Sequence, residues 1–235
     1  MIITRRILFL KKKLFLVLIL TASACRHAPT PGKLDAFRSL PANRLASWQI
    51  DAASLRRSLI PLPKEAEGAD LVSGVVTTER KVVRVSEPPA PPSGDGSLPD
   101  ITGIPANAQF WLVAEPAAFE VDDTHPFELR FGKTIVQLPA DLVTRATRII
   151  AWGNASALGA DLTIDATYSD PADAQRLAPS LNAVLRMARD IKTDASAQGN
   201  HILIHAGIGP ADAGRLLLNW ISRQSPPSRQ ILKTP

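Results

Sequence analysis

The sequence predicts an α+β protein built on an antiparallel sheet, with a ferredoxin-like split βαβ arrangement in its C-terminal half. Segment 161–168 alternates polar and apolar residues, as a strand does when one of its faces lies on a core. Segment 170–192 places leucines and valine at helical spacing behind an Asp-Pro start. Strand-like and helix-like segments then follow the order βαββαβ plus a terminal helix, which is typical of this fold.

The C-terminal domain, residues 104–223, supplies these elements in order. We predict four strands, at 110–114, 148–152, 161–168 and 201–206. We predict three helices, at 139–145, 170–192 and 209–221. Each helix has a proline in or near its first turn, where the backbone N–H that proline lacks would not form an intrahelical hydrogen bond. Pro179 lies inside the second helix, and we expect it to kink that helix or delay its start.

For residues 40–87, the sequence predicts a smaller, incomplete α/β half. The pattern gives a strand at 45–50, a helix begun by Asp51 and a hairpin within 71–85. Residues 40–55 align without gaps on residues 104–119, and both segments contain Pro-Ala-Asn. A duplication or chance could produce this similarity, and each copy would form a turn, a strand and a short helix or loop.

Three further segments have compositions that do not build a core. Residues 25–39 predict a tether, and residues 88–103 predict a Pro-rich linker between the two halves. Residues 224–235 predict a disordered tail. These boundaries divide the chain into two folded units behind an N-terminal leader.

Residues 1–24 have the organisation of a secretory signal peptide. Arg5, Arg6 and three lysines at 11–13 precede an apolar run at 14–20, and small residues follow it. Seven apolar residues cover about a third of a bilayer core of about 30 Å. Extending the run backwards would place the lysines in lipid, which is costly. A transmembrane helix is therefore the weaker interpretation.

Cys25, the only cysteine in the chain, follows those small residues directly. The segment resembles a lipobox, and the chain loosely resembles uncharacterised bacterial lipoproteins over this signal. Ala22 departs from the motif, which usually has leucine three residues before the cysteine. The resemblance implies a lipid on Cys25 and a location in the bacterial cell envelope, with a membrane partner through that lipid. Secretion as a soluble protein and an uncleaved anchor are the alternatives.

The net charge of +5 lies entirely in the signal peptide, because its five basic residues have no acidic counterpart. Basic and acidic residues are equal in number from Cys25 onwards. Nucleic-acid binding needs clustered Lys and Arg to displace counterions, so a nucleic-acid partner is not expected. With Cys25 lipidated, neither disulfides nor cysteine catalysis are available.

Candidate metal and catalytic groups fail on spacing. His201 and His205 lie on one predicted strand face, about 13 Å apart at about 3.3 Å per residue, so one zinc ion cannot bind both. Asp161 and Asp165 have the same separation, beyond either glycosidase geometry. The loop with Asp122, Asp123, His125 and Glu128 matches no metal motif. No cofactor, metal or catalytic residue is therefore expected.

Two other features were weighed as sites. The repeated PADAxRL at 171–177 and 210–216 has a helix-start explanation, because proline and aspartate both suit a first turn. Trp111 and Val113 are apolar on the second face of their predicted strand, where water is expected. We predict that this second face is covered, either by the N-terminal half or by a partner protein.

These expectations favour a non-catalytic envelope lipoprotein with a structural or protein-interaction role. Trp111 and Val113 are its candidate interaction surface, and an envelope protein is the expected partner. An envelope hydrolase with a site assembled from distant residues is one alternative. A periplasmic small-molecule carrier that uses the cleft between the halves is another.

Overall fold

The fold was analysed in a computed structural model that describes residues 31–57, 68–86, 98–119, 121, 127–131, 134–156, 158–187 and 192–209. Within these residues, ten strands form a sheet of eight and a hairpin of two. The strands are β1 Arg44–Asp51, β2 Leu71–Thr77, β3 Val82–Ser86, β4 Phe110–Ala114, β5 Phe127–Phe131, β6 Thr134–Leu138, β7 Ala146–Ser156, β8 Gly159–Tyr168, β9 Lys192–Gln198 and β10 His201–Ile208. The α-helices are α1 Ala52–Arg57, α2 Asp141–Thr144 and α3 Pro171–Leu185, and two 3-10 helices span Pro31–Ser39 and Pro116–Ala118.

The large sheet is antiparallel throughout and has the strand order β3-β2-β1-β4-β7-β8-β10-β9. The α+β class and the antiparallel sheet are therefore confirmed. One end of this sheet, which we call the proximal end, contains Asp51, Phe110, the β7–β8 turn and Lys192. The opposite or distal end contains Arg44, Ala114, Tyr168 and Gln198.

The ferredoxin-like strand order is not confirmed. In that order the first two strands of the domain run parallel, with another strand between them, whereas β4 and β7 are adjacent and antiparallel. The reason is the connection, because α2 has only four residues and a parallel crossover needs a longer element. The 15-residue α3 does make such a crossover, since β8 and β9 are both antiparallel to β10, which lies between them.

The predicted division into two domains differs from the structure, because β1 of the small half pairs with β4 of the large half. The two aligned segments of the sequence repeat pair with each other here. Trp48 lies opposite Leu112, the residue with which it aligns. Ala46 lies opposite the residue that aligns with Ile50, and Ile50 lies opposite the residue that aligns with Ala46. Each half then adds two antiparallel strands outward, β2 and β3 or β7 and β8. Six strands thus have an internal two-fold pseudosymmetry, which agrees with a duplication.

Most predicted elements are found close to their expected positions. The strand at 110–114 is reproduced as β4, and Asp51 caps α1 by accepting a hydrogen bond from the Ser54 N–H at 2.9 Å. Three strands were not expected, namely β5, β6 and β9. The helix α3 ends at Leu185, whereas the predicted helix extended to residue 192, where β9 begins. The predicted terminal helix at 209–221 lies outside the described residues, except for Gly209.

The main core lies between one face of the sheet and the three α-helices. Its largest fully buried side chains include Ile50, Leu55, Tyr168, Leu181 and Ile202. A second, smaller cluster lies on the opposite face of β2, β1 and β4, where Phe37 and Leu40 pack on Val75 and Trp111. Within the part of the chain that the structure describes, the sheet is covered on both faces at one side and on a single face at the other.

Candidate functional site

Trp111, expected at a contact surface, is buried inside the second cluster with 5% of its surface exposed. The ring of Phe37 stacks on its indole, with centroids 5.5 Å apart and an interplanar angle of 28°. Val113 is half-buried and packs against the same cluster. The burial of Trp111 therefore argues against an interaction surface at this residue. The second face is covered at this point, as expected, but mainly by the segment predicted as a tether rather than by the small half at 40–87 or by a partner protein.

Most of the residues that cover Trp111 come from segments expected to be unstructured. Leu34, Phe37 and Leu40, which we call the N-terminal cover, belong to or follow the 3-10 helix in the predicted tether. Ile101, from the predicted linker, packs against the same cluster. Beside it the Arg148 guanidinium lies 3.1 Å from Asp100, whose pKa is lowered first by hydrogen bonds from Thr102 and then by Arg148. The described parts of these segments, residues 31–39 and 98–103, therefore belong to the folded unit.

Among the described residues, no segment covers the second face of β8, β10 and β9, which we call the polar face. Alternation along β8 places Asp161, Thr163, Asp165 and Thr167 on this face, while Leu162 and Ala166 enter the core. β10 adds His201, Leu203 and His205, and β9 adds Asp194, Ser196 and Gln198. A row of hydrogen-bonding side chains on three strands results.

His201 is the most connected residue of the polar face. Its Nδ1 lies 2.9 Å from Asp165 Oδ1 and 3.3 Å from Thr167 Oγ1. A catalytic triad uses both ring nitrogens, one for the carboxylate and one for the nucleophile. Here the carboxylate and the hydroxyl share a single nitrogen, so the imidazole orients both groups but does not activate Thr167.

His205 makes a separate contact, with its Nδ1 3.1 Å from Thr163 Oγ1. Asp194 is its cross-strand neighbour on β9. Both histidines lie on one strand, as predicted, so their rings do not converge on one ion. Among the described residues, no group of three or more His, Cys, Asp or Glu side chains could hold a metal ion.

The sequence analysis compared Asp165 only with Asp161 and rejected that pair on spacing, whereas in the structure Asp165 contacts His201. The two partners lie 36 residues apart on strands that meet only in the sheet. Alternation identified the correct face of each strand but not the strand order. The antiparallel register of β8 and β10 was the missing signal.

The first PADAxRL segment has the structural role that was predicted. Asp170 caps α3 by accepting a hydrogen bond from the Ala172 N–H at 2.8 Å, and Pro171 opens the helix. Asp173 receives hydrogen bonds from Arg145 at 3.1 Å and Arg176 at 3.2 Å, which ties α2 to α3. The second copy, Cys25 and the loop residues Asp122, Asp123 and His125 lie outside the described residues.

Two cavities lined by described residues lie beside this framework. The first, beneath the N-terminal cover near Leu34 and Gln109, has a volume of about 20 Å³, roughly enough for one water molecule. The second is an open groove of about 530 Å³ between α3 and β9, lined by Pro179, Asn182 and Ala197 among others. Neither encloses a space in which several polar groups converge on a small molecule.

Comparison with protein-family models, curated proteins and solved structures found no match. In the part of the chain that the structure describes, no helix is long and apolar enough to cross a bilayer. The assignment of a function therefore depends on the sequence of the leader and on the geometry of the polar face.

Proposed function

We propose that this protein is a non-catalytic lipoprotein of the bacterial cell envelope that makes protein contacts through its polar face. Support for the anchor comes from the leader, where basic residues, a short apolar run and small residues precede Cys25. Two or more acyl chains on one cysteine hold a protein stably on a bilayer, whereas one chain binds it only marginally.

The polar face is the observation that carries the contact role. Cross-strand hydrogen bonds between His201 and Asp165 and between His205 and Thr163 hold these side chains in place before a partner binds. Pre-organised polar groups lose less conformational entropy on binding than mobile ones. A face without a large apolar patch fits a polar, non-obligate interface rather than a permanent oligomer.

Site-specific photo-crosslinking in the bacterial envelope tests this proposal. A crosslinking residue at Asp194 lies on the polar face, and one at Ser180 lies exposed on α3 behind the same strands. We expect discrete adducts from position 194 that weaken when Thr163→Arg places a long cation in the middle of the face. Equal adducts from both positions would contradict a contact role for the polar face.

The anchor has its own test, in which full chains with and without Cys25→Ala are compared by membrane fractionation and by mass spectrometry of the N-terminal peptide. We expect a diacylglyceryl-bearing Cys25 peptide and recovery with membranes. We expect the variant in the soluble fraction or retained as an uncleaved precursor. An unmodified thiol in wild-type protein would overturn the lipoprotein assignment.

An envelope hydrolase is the second candidate, favoured by the contact between His201 and Asp165. A His–Asp pair can act as a general base when a nucleophile reaches the other ring nitrogen. Ester hydrolysis by the full chain that His201→Ala abolishes would replace the contact role with this alternative. Hydrolysis unaffected by His201→Ala would exclude that pair as the catalytic group.

A further inference from the structure

We propose that the proximal end of the sheet faces the membrane and that Leu158 inserts into the lipid headgroup region. This inference rests on the proposed lipid anchor at Cys25 and adds an orientation of the folded part. Its partner is a lipid surface, identified by two exposed apolar side chains at the end where the described chain begins. Four observations carry it.

The first observation is the exposure of Leu158 and Met187. Their surfaces are 91% and 80% exposed, which makes them the two most exposed large hydrophobic residues in the described part of the chain. Single exposed apolar residues are common, and one alone would indicate little. Here both lie at the same end of the molecule, because Leu158 occupies the β7–β8 turn and Met187 follows α3 on the way to Lys192.

The second observation is that the turn holds Leu158 in place. The Leu158 N–H donates to Ser156 Oγ at 3.2 Å, and that hydroxyl donates to the Gly159 carbonyl at 3.3 Å. Gly159 has a φ of 143°, which favours glycine at this position. Turns usually carry small or polar residues, so a leucine fixed at the tip places apolar surface in the most accessible position.

The third observation is where the chain enters the fold. Leu34 lies near Asp51 and Gln109 at the proximal end, and Phe37 lies further along, under Trp111 and close to Arg44. The N-terminal 3-10 helix therefore begins at the proximal end and runs towards the distal end. The point where the lipid-bearing segment joins the fold is at the same end as Leu158.

The length of the chain between Cys25 and Pro31 limits the orientation further. These few residues span at most about 20 Å when fully extended. The ten residues of β8 span about 33 Å from one end of the sheet to the other. A molecule standing on its distal end would hold Pro31 further from the bilayer than this segment can reach. If the molecule stands on its proximal end, the lipid on Cys25 reaches the bilayer and the exposed apolar side chains contact it as well.

The fourth observation is the basic residues next to Met187. Arg186 precedes it and is exposed, and Lys192 opens β9 at the proximal end and is exposed as well. Lys and Arg at a bilayer surface are attracted to anionic headgroups, while their aliphatic stems lie along apolar groups. Asp161 is exposed at the same end, so the two cations provide individual contacts to anionic headgroups rather than a net positive surface.

Fluorescence of the lipidated full-length chain tests the orientation. Because Cys25 carries the lipid, Leu158→Cys provides the one free thiol for a polarity-sensitive dye. Gln198→Cys is the matched control, since Gln198 is exposed at the distal end of the same sheet. On vesicles of phosphatidylethanolamine and phosphatidylglycerol, we expect a blue shift and at least about twofold stronger quenching by a headgroup-bound quencher at 158 than at 198.

Three outcomes are distinguishable. Wild-type protein that does not float with vesicles would overturn the lipid anchor and this orientation with it. Protein that floats but gives equal quenching at positions 158 and 198 would overturn the orientation alone. A dye on Met187→Cys should respond as the dye on Leu158→Cys does, and a response only at 198 would show the opposite end facing the membrane.

Discussion

Tyr168 is the only tyrosine in the chain, so its ionisation can be followed without interference. Its hydroxyl is buried and donates to the Leu142 carbonyl at 2.8 Å. Burial raises the pKa of this phenol well above its ordinary value of 10.0, and the charges of Asp173 and Asp141 add to the effect. The folded protein therefore keeps the proton at a pH where the unfolded chain releases it. Stability contributed by Tyr168 is complete below pH 10 and falls as the pH rises further.

We expect tyrosinate absorbance to appear only together with loss of the far-ultraviolet circular dichroism of the sheet. Tyrosinate formation near pH 10 in an intact fold would contradict the buried position of the phenol. Tyr168→Phe serves as the control, because it removes the titration and the hydrogen bond to Leu142. It should lower the free energy of unfolding by about 1 kcal/mol at neutral pH.

Gly74 and Gly153 are required by close approach rather than by an unusual φ. A Cβ on Gly74 would overlap the indole of Trp48, and one on Gly153 would overlap the Phe110 ring and the Asp161 carbonyl. We expect Gly153→Ala to lower the free energy of unfolding by about 2 kcal/mol or more, measured by urea denaturation. Gly68→Ala should change it by less than about 0.5 kcal/mol, because no atom lies near that site.

A second substitution distinguishes the two glycines. Trp48→Leu should recover part of the stability lost in Gly74→Ala, because a side chain is the obstacle there. Phe110→Leu should recover less in Gly153→Ala, because the backbone carbonyl of Asp161 remains. Equal recovery in both pairs would show that the strands shift to accommodate the new methyl group.

Single-residue features were predictable from sequence where their cause is local. Asp51 and Asp170 were placed at helix starts, and each caps a helix through its own carboxylate. The contact of His201 with Asp165 and the stacking of Phe37 on Trp111 depend on strand order and on a long-range approach. Periodicity contains no information about either partner.

At the scale of elements, α3 and β9 show how an edge strand is completed by a side chain. The amide of Asn182 donates to the Ala195 carbonyl and accepts from the Ala195 N–H at 2.8 Å. An exposed edge would leave these backbone groups unpaired and open to another chain. Asn182 therefore takes the place of a neighbouring strand at this position and fixes α3 against β9.

We expect Asn182→Ala to lower the free energy of unfolding by about 2 kcal/mol, since two hydrogen bonds to a buried backbone are lost. Hydrogen exchange should speed up selectively at the Ala195 amide. Ser180→Ala, at an exposed position on the same helix, should leave both quantities unchanged. Unchanged exchange at Ala195 in the Asn182 variant would contradict the role of the amide.

The elements that sequence reasoning missed lack the patterns it uses. β9 reads Lys-Thr-Asp-Ala-Ser-Ala-Gln, and its inward-facing side chains are Thr193 and two alanines, so its alternation is weak. Its order comes from pairing with β10 and from contact with α3. The helix at Pro31–Ser39 has few apolar residues, yet Phe37 among them is fully buried. Tertiary packing outweighs local propensity in both segments.

At the scale of the whole molecule, the sequence indicated two domains because Pro-rich residues separate two apolar regions. The structure joins these regions in one sheet, since β1 pairs with β4 along five residues of each strand. The two aligned segments lie side by side around Trp48 and Leu112, where the local two-fold axis passes. The repeat was visible in the sequence, but its two copies form one continuous core and not two separate ones.

A chain divided between Pro92 and Ser93 tests this dependence of the two halves on each other. The fragment 26–92 keeps three strands and lacks Leu112, opposite Trp48, and the fragment 93–235 lacks Phe37, which shields Trp111. Exposing such aromatic surface and an unpaired β4 edge costs several kcal/mol. This cost is comparable to the free energy of unfolding of a whole domain, which is about 5–15 kcal/mol. We expect neither fragment alone to unfold cooperatively, and an equimolar mixture to recover one transition and the near-ultraviolet circular dichroism of the intact chain. Cooperative unfolding of 93–235 alone would restore the two-domain interpretation.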